Sequence, residues 1–254
     1  MLLVIDSGNT NIVFAVFNGD ELVGEWRGSS DAKRTADEYG VWLTQLMERD
    51  QLDPTKINSS IIATVVPEIV SSLKILCHKY FKTVPMIVGE SNVDIGIEIL
   101  VNEPEEVGSD RLVNAASAHQ TYGGPLIVID FGTATTFDVV DKNGAYYGGV
   151  IAPGINLSLD ALHLAAAKLP RVAVQKPATV IGKRTVPAMM SGIYWGYVGL
   201  IEGLLARIKE EFGEEMNVIA TGGLAPLFSD EIGVDHLDPN LILRGLVNIY
   251  HRNS

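Results

Sequence analysis

The sequence predicts an α/β fold of two similar halves, each a mixed sheet flanked by helices, with a cleft between them. The first supporting observation is a repeat: residues 2–19 read LLVIDSGNTNIVFAVFNG, and residues 126–144 read LIVIDFGTATTFDVVDKNG. In each copy an apolar strand runs into an aspartate, a glycine and a turn of small polar residues before a second apolar strand. The second observation is the alternation of strand and helix patterns after the first copy, which favours parallel strand pairing.

The first half opens with three strand patterns, LLVID, IVFAVF and ELVGEWR, and a hairpin turn at residues 18–20 joins the last two. A helix follows at 36–49, because apolar side chains recur there at helical spacing. The run SSIIATVV then predicts a strand that stops at Pro67, VSSLKILCHKYF a helix, and PMIVG another strand. These elements predict antiparallel strands followed by parallel βαβ pairing.

The second half follows an irregular stretch at 92–107 and a helix from Asp110 to Tyr122. The repeat restarts at Leu126, and the segment YGGVIAPG at 147–154 predicts a glycine-rich turn. Helices are expected at 157–169, ended by Pro170, at about 186–212 and at about 241–250, with a strand at NVIATGG. We place the two halves at residues 1–122 and 123–254.

Four glycines lie on one face of the long predicted helix: Gly192, Gly196, Gly199 and Gly203. Each interior glycine costs a helix about 1 kcal/mol relative to alanine. The expected benefit is the close approach of another helix, either in the core or in a dimer.

The composition excludes several classes of protein. The net charge of −12 argues against nucleic-acid binding, which needs lysine and arginine to neutralise phosphates, but it does not exclude ATP. The single cysteine, Cys77, excludes an intramolecular disulfide and a multi-thiolate zinc site. The N-terminal apolar run meets Asp6 too early for a signal peptide, and no stretch is long enough to span a membrane. We therefore expect a cytoplasmic protein without a membrane or nucleic-acid partner.

The turn after the first strand has the composition of a phosphate site. Asp6 ends a buried strand, where its carboxylate is placed to hold Mg²⁺ directly or through water. Gly8 to Asn11 offer backbone N–H groups and polar side chains to phosphate oxygens. A plain hairpin would favour the same turn residues, but a second strand ending in Asp130 before Gly132-Thr133 is not required by hairpin geometry. Phosphoryl transfer is therefore the leading hypothesis.

A third candidate element is Gly108-Ser109-Asp110-Arg111, at the start of the helix that links the halves. An aspartate there can act as a general base, and the neighbouring arginine can grip a substrate carboxylate with two hydrogen bonds. The alternative is ordinary helix capping with an exposed charge pair.

Other common motifs are absent. Residues 177–184 do not match a P-loop, because Pro177 stands at the upstream glycine position and Arg184 at the serine or threonine position. The chain also has no GxGxxG, which a dinucleotide site would need. The five histidines show no metal-binding spacing, and no GxSxG elbow indicates a serine hydrolase.

Together these motifs resemble the type III pantothenate kinases of the actin-like ATPase superfamily. The matching pieces are DSGNT at residue 6, GSDR at 108, DFGTA at 130, GGVIAPG at 148, IGKRT at 181 and ATGGLA at 220. They span most of the chain in the order that the family has. The resemblance implies two actin-like (ribonuclease H-like) halves and the ATP-dependent phosphorylation of pantothenate to 4'-phosphopantothenate, the first step of coenzyme A synthesis.

The resemblance also implies roles for individual residues. Asp110 is the expected proton acceptor, and Asp130 is the expected ligand of a monovalent cation, K⁺ or NH₄⁺, which acts beside Mg²⁺. Thr185 is expected to contact substrate at the interface of a homodimer. The residues expected to bind ATP are Asp6, Ser7, Gly8, Asn9, Thr10, Asn11, Ile12, Val13 and Thr133, and those expected to bind pantothenate are Gly108, Ser109, Asp110, Arg111 and Thr185.

One position departs from the family pattern, since Val101 stands where such kinases usually carry a substrate-contacting tyrosine. A non-catalytic transcriptional regulator of the Bvg accessory factor type is the main alternative. A pure binding protein would have no need to keep Asp6, Asp110, Arg111 and Asp130 together. An actin-like filament protein and a sugar kinase of the same superfamily are further alternatives.

Overall fold

The computed structural model describes residues 1–165, 170 and 172–254. Over these residues the chain divides into two compact units. The first unit contains 1–98, 102–117 and 240–254, and the second contains 99–101 and 118–239. The last helix therefore groups with the first unit, whereas the sequence-based division at residue 122 assigned it to the second half. Its apolar residues Leu243, Leu246 and Ile249 share a core cluster with Leu2 and Val4, which explains this grouping.

The first unit contains a five-stranded mixed sheet. Its strands are β1 (Leu2–Ser7), β2 (Asn11–Asn18), β3 (Glu21–Ser29), β4 (Ser59–Thr64) and β5 (Met86–Ile87). Their order across the sheet is β3-β2-β1-β4-β5; β1 to β3 pair antiparallel, and β4 and β5 continue parallel to β1. One face packs on α1 (Ala36–Arg49) and α2 (Val70–Phe81), and the other packs on α7 (Leu241–Arg252).

The second unit contains a sheet of the same topology. Its strands are β6 (Leu126–Phe131), β7 (Ala134–Val140), β8 (Tyr146–Pro153), β9 (Asn217–Thr221) and β10 (His236–Leu237), in the order β10-β9-β6-β7-β8. Again the first three strands pair antiparallel and the last two continue parallel. The repeat read from the sequence is therefore a repeat of structure, and the predicted fold class is confirmed for both sheets.

The remaining α-helices of the described residues are α3 (Ser109–Tyr122), α4 (Ile155–Ala165), α5 (Thr185–Phe212) and the short α6 (Ala225–Phe228). The buried side of α5 packs on sheet residues of the second unit through Tyr194, Tyr197, Val198 and Ile201. The predicted helix at 157–169 is observed as far as Ala165, and residues 166–169 lie outside the described part of the chain. Within the described chain, no helix is long and apolar enough to cross a bilayer.

One local prediction is wrong. The segment at 147–154 was predicted to be a glycine-rich turn, but most of it forms strand β8, paired with β7 over its length. The ladder tolerates the two glycines, and Gly148 adopts a φ of +137° beside the irregularity at Val139 and Val140.

Candidate active site

The turn between β1 and β2 carries the first group of predicted site residues. Asp6 is the fifth residue of β1 and pairs with Val13 on one side and Ala63 on the other. The Gly8 N–H donates to the Asn11 carbonyl oxygen over 3.0 Å, which closes the turn. Asn9, Thr10 and Asn11 are exposed at its tip, whereas Ser7, Ile12 and Val13 are buried. Residues 9–11 are therefore the part of this turn that faces solvent, whereas the Gly8 N–H is already bonded within the turn.

The loop before α3 carries the second group, and it lies at the carboxyl end of β4. The Ser109 hydroxyl donates to the Thr64 carbonyl oxygen over 3.1 Å, which fixes the first turn of α3 against the sheet. A β-carbon at residue 108 would lie 2.6 Å from Asp110 Oδ1, so a side chain there would displace the carboxylate. This glycine therefore lets the Asp110 carboxylate fold back over the start of the helix.

The Asp110 carboxyl is partly buried, and burial raises its pKa above the ordinary value. Three smaller effects oppose this rise in pKa: the Arg111 backbone N–H, which donates to Asp110 Oδ1 over 2.8 Å, the positive charge of Arg111, and a hydrogen bond from the backbone of Asp110 itself. A carboxylate with a raised pKa accepts a proton more readily than an ordinary aspartate does.

Val65 connects these two groups within the first unit. Its backbone N–H donates to the Ser7 carbonyl oxygen over 3.2 Å, and its Cγ1 lies 3.5 Å from the position of a β-carbon at residue 108. The parallel register of β1 and β4 pairs Ser7 with Thr64, so the Asp6 turn and the Gly108 loop meet at the same edge of the sheet. The sequence alone does not single out Val65, because it lies inside the apolar run SSIIATVV, whereas the observed strand ends at Thr64.

In the second unit Asp130 occupies the place that Asp6 has in the first. It is the fifth residue of β6 and pairs with Thr136 of β7 and Thr221 of β9. A β-carbon at Gly222, which follows β9, would lie 2.5 Å from Asp130 Oδ1, and one at Gly132 would lie 3.8 Å from it. Two glycine backbones thus border the carboxylate, and a side chain at Gly222 would collide with it. The predicted ATGGLA motif contains this second glycine.

Gly154 packs against the turn that carries Thr133 and is hydrogen-bonded to it. Thr133 is exposed at the tip, and its carbonyl oxygen accepts the Gly154 N–H over 3.2 Å. A β-carbon at Gly154 would lie 2.3 Å from that oxygen, so only glycine fits. Gly154 directly precedes α4, which places the amino end of this helix beside the turn. Helix amino ends attract anions.

Thr185 is the first residue of α5 and is exposed. The glycines predicted to share a face do so, and Gly192, Gly196 and Gly199 are exposed. A β-carbon at any of these three would meet no atom of the described chain within 4 Å. The expected close approach of another helix is therefore not made by the described part of this chain.

Val101 lies at the β8 edge of the second sheet. The neighbouring Leu100 N–H donates to the Tyr146 carbonyl oxygen over 2.8 Å, and Val101 Cγ1 lies 3.9 Å from the position of a β-carbon at Gly148. Gly148 pairs with Val139, toward the end of the hairpin opposite the Thr133 turn. Within this unit Val101 is therefore remote from Thr133.

Two sheets of the same topology, each with an aspartate before a glycine turn, define the class of proteins with an actin-like fold. Solved structures show the same fold. A protein from Campylobacter jejuni named a Baf family transcriptional activator has a TM-score of 0.59 at 20% identity, covering 99% of this chain and 98% of the other. A protein from Porphyromonas gingivalis named an N-acetylglucosamine kinase has a TM-score of 0.55 at 12% identity, covering 100% and 99%. At these identities the likeness concerns the fold alone.

The sequence comparisons are more specific. A family model for type III pantothenate kinase matches residues 2–207. Type III pantothenate kinases from Paramagnetospirillum magneticum and Rhodospirillum rubrum are 66% and 64% identical to this chain over its whole length, which covers 98% and 99% of theirs. The chain belongs to the type III pantothenate kinase family. The resemblance read from the motifs is confirmed, the chain is a kinase, and the regulator alternative is not favoured.

Proposed function

We propose that this chain transfers the γ-phosphoryl group of ATP to the primary hydroxyl of pantothenate, the first step of coenzyme A synthesis, in the cytoplasm. The observation that carries the proposal is the Gly108–Arg111 loop, which holds a partly buried carboxylate of raised pKa beside the end of β1. Phosphoryl transfer depends mainly on positioning and on neutralising charge, and such a loop supplies both.

In this proposal Asp110 accepts the proton of the acceptor hydroxyl as that oxygen attacks phosphorus. Arg111, next in the first turn of α3, binds the carboxylate of pantothenate, and the amino end of the helix adds to the attraction. Gly108 and Ser109 complete the acceptor site, since one gives the carboxylate room and the other fixes the loop on β4.

The residues at the strand ends bind ATP and its cations. The turn from Asp6 to Val13 binds the phosphates, chiefly through the exposed residues 9–11, and Thr133 contacts ATP from its own turn. Among the described residues no three His, Cys, Asp or Glu side chains cluster as a metal site. Asp6 offers one carboxylate at the end of β1, which fits Mg²⁺, because this ion usually keeps waters and phosphate oxygens and takes only one or two carboxylates. Asp6 would hold Mg²⁺, and Asp130, bordered by two glycines, would hold K⁺ or NH₄⁺.

We also propose a homodimer formed on the glycine face of α5, with Thr185 at the interface. The face is exposed at Gly192, Gly196 and Gly199, and apolar side chains near the start of the helix are exposed as well: Val180 at 64%, Ile181 at 80% and Val186 at 39%. Glycines on one face allow two helices to approach closely, which would offset their cost in helix propensity.

The activity is tested by ADP release with and without pantothenate, each in the presence and absence of K⁺. Pantothenate-dependent turnover that requires a monovalent cation is expected. Arg111→Ala should raise the KM for pantothenate and leave the KM for ATP near the wild-type value. Turnover without any dependence on pantothenate would contradict the proposed acceptor, and an unchanged KM would remove the role of Arg111.

The dimer is tested by sedimentation of Gly196→Leu. Because a β-carbon there would meet no atom of the described chain within 4 Å, the variant should fold normally but sediment as a monomer. Glu48→Leu, which adds bulk at an exposed position of α1, serves as the control and should leave the oligomeric state unchanged. A Gly196→Leu protein that sediments like the wild type would exclude this face as the interface.

A further inference from the structure

Val65 has an apolar side chain that the core of the first unit does not use. It follows β4 directly and is partly exposed, and neither of the two apolar clusters of this unit includes it. The next residue, Val66, does pack on one of these clusters. Two adjacent valines thus have different surroundings, one against the core and one at the edge of the site.

The position of Val65 relative to the reacting groups is narrowly defined. Its N–H is bonded to the carbonyl oxygen of Ser7, in the predicted phosphate turn. Its Cγ1 lies 3.5 Å, and Asp110 Oδ1 2.6 Å, from the same point, the β-carbon position at residue 108. The methyl group and the carboxylate oxygen therefore border the same glycine, and their separation is no more than the sum of these two distances.

The acceptor brings a matching chemical group to this place. In pantothenate the hydroxymethyl group that is phosphorylated is attached to a quaternary carbon bearing two methyl groups. If Asp110 accepts the hydroxyl proton, the quaternary carbon lies only two bonds from the oxygen that Asp110 contacts. Its methyl groups must then lie against whatever surface borders the carboxylate, and burial of apolar surface there is favourable.

We propose that Val65 packs against the two methyl groups of the acceptor and is a specificity-determining residue of this kinase. The proposal rests on the proposed roles of Asp110 and the Asp6 turn. Val65 selects a branched carbon next to the reacting hydroxyl, whereas Arg111 binds the distant carboxylate. The two ends of the acceptor are thus recognised by different forces.

The test compares pantothenate with its analogue that lacks both methyl groups. Each methyl buried in an apolar contact contributes about fourfold to affinity, so the wild type should prefer pantothenate in kcat/KM by roughly tenfold. Val65→Ala should lower this preference severalfold and leave the KM for ATP unchanged. Val65→Thr keeps the shape of the side chain but replaces a methyl by a hydroxyl, and it should lower the preference as well. The control is Val84→Ala, at a valine of the same unit that is 87% exposed.

Two outcomes would overturn the proposal: a Val65→Ala variant of normal thermal stability that keeps the wild-type preference, or one that loses activity equally toward both acceptors. Val65→Ile guards against a folding artefact, because added bulk should impair pantothenate more than the smaller analogue. Asp110→Asn separates this proposal from the proposed function. Full turnover of Asp110→Asn would remove the base assignment, whereas an inactive Asp110→Asn with an unchanged preference in Val65→Ala would remove only the role of Val65.

Discussion

The side-chain hydroxyls of Thr135 and Tyr197 are hydrogen-bonded to each other in the interior of the second unit. Thr135 pairs with Phe131 across the hairpin that carries Thr133, and the Tyr197 ring lies edge-on to Phe131 at 6.2 Å. One tyrosine of α5 thus contacts both strands below the predicted ATP turn.

This pair predicts a non-additive double-mutant cycle. Tyr197→Phe or Thr135→Val alone leaves one buried hydroxyl unpaired, which costs about 1–3 kcal/mol, whereas removing both hydroxyls costs much less. Urea unfolding of the two single variants and the double variant measures the coupling. We also expect Tyr197→Phe to raise the KM for ATP. If the losses in unfolding free energy of the two single variants add up to that of the double variant, the hydrogen bond contributes nothing to stability.

Asp110→Asn should lower kcat by about 10²- to 10⁴-fold, the usual effect of losing a positioned base. The same substitution should raise the melting temperature at pH 7. Burial raises the pKa of Asp110 above 3.8, so the folded chain holds this proton to a higher pH than the unfolded chain does. Stability therefore falls as pH rises from 3.8 through the raised pKa, and the loss persists at neutral pH.

Calorimetry of the wild type and of Asp110→Asn between pH 3 and pH 7 (roughly the range over which a carboxyl of raised pKa titrates) tests whether the stability of the wild type falls as pH rises. The two melting temperatures should converge at the acid end, where both side chains are neutral. A variant less stable than wild type at pH 7 would contradict the burial argument, and one with normal turnover would contradict the base assignment.

Gly108→Ala should reduce kcat while leaving stability nearly unchanged. The added β-carbon would lie 2.6 Å from Asp110 Oδ1, and the carboxylate can rotate away at small cost because it is the free end of a side chain. A displaced base loses its alignment with the acceptor hydroxyl. Steady-state kinetics measures kcat, and thermal unfolding measures stability. Gly223→Ala is the control for stability, because a β-carbon at residue 223 would meet no atom of the described chain within 4 Å. Normal kcat in Gly108→Ala would show that the carboxylate orientation is not critical.

Gly154→Ala should affect both stability and ATP binding. Here the added β-carbon would lie 2.3 Å from the backbone oxygen of Thr133, which cannot rotate aside, so the turn or the start of α4 must move. Overpacking of this kind costs about 1–3 kcal/mol. Unfolding experiments and the KM for ATP measure the two effects, and Gly223→Ala is again the control. An unchanged KM for ATP would mean that the Thr133 turn does not bind the nucleotide.

Much of this fold is predictable because its signals are local. The helix at 36–49 begins after a complete capping box, in which Thr35 and Glu38 bond each other's backbone, and its apolar residues recur at helical spacing. The strands of the repeat are continuous apolar runs bounded by turn residues. Segment 147–154 was misread because its glycines favour a turn locally, whereas pairing with β7 makes it a strand.

The sequence predicts the candidate site as a set of residues, which stays a prediction, but it does not predict how these residues pack. Aspartates after apolar strands and a glycine before a helix start are visible in the sequence alone, because strand ends and helix starts have local signatures. Their proposed roles come from the family resemblance. Val65 and Tyr197 carry no such signature, since valine and tyrosine in apolar runs are usually core residues.

The sequence by itself determined that two copies of a strand, an aspartate and a glycine turn exist, and that Asp6 and Asp130 occupy matching places. Only the tertiary structure decided that Val65 contacts both Ser7 and the Gly108 loop, that Gly154 supports the Thr133 turn, and that the last helix groups with the first unit. The physical reason is the separation along the chain of the residues that interact. Turns, caps and strands depend on neighbouring residues, whereas these contacts join residues far apart in the chain and form only when the sheets and helices pack.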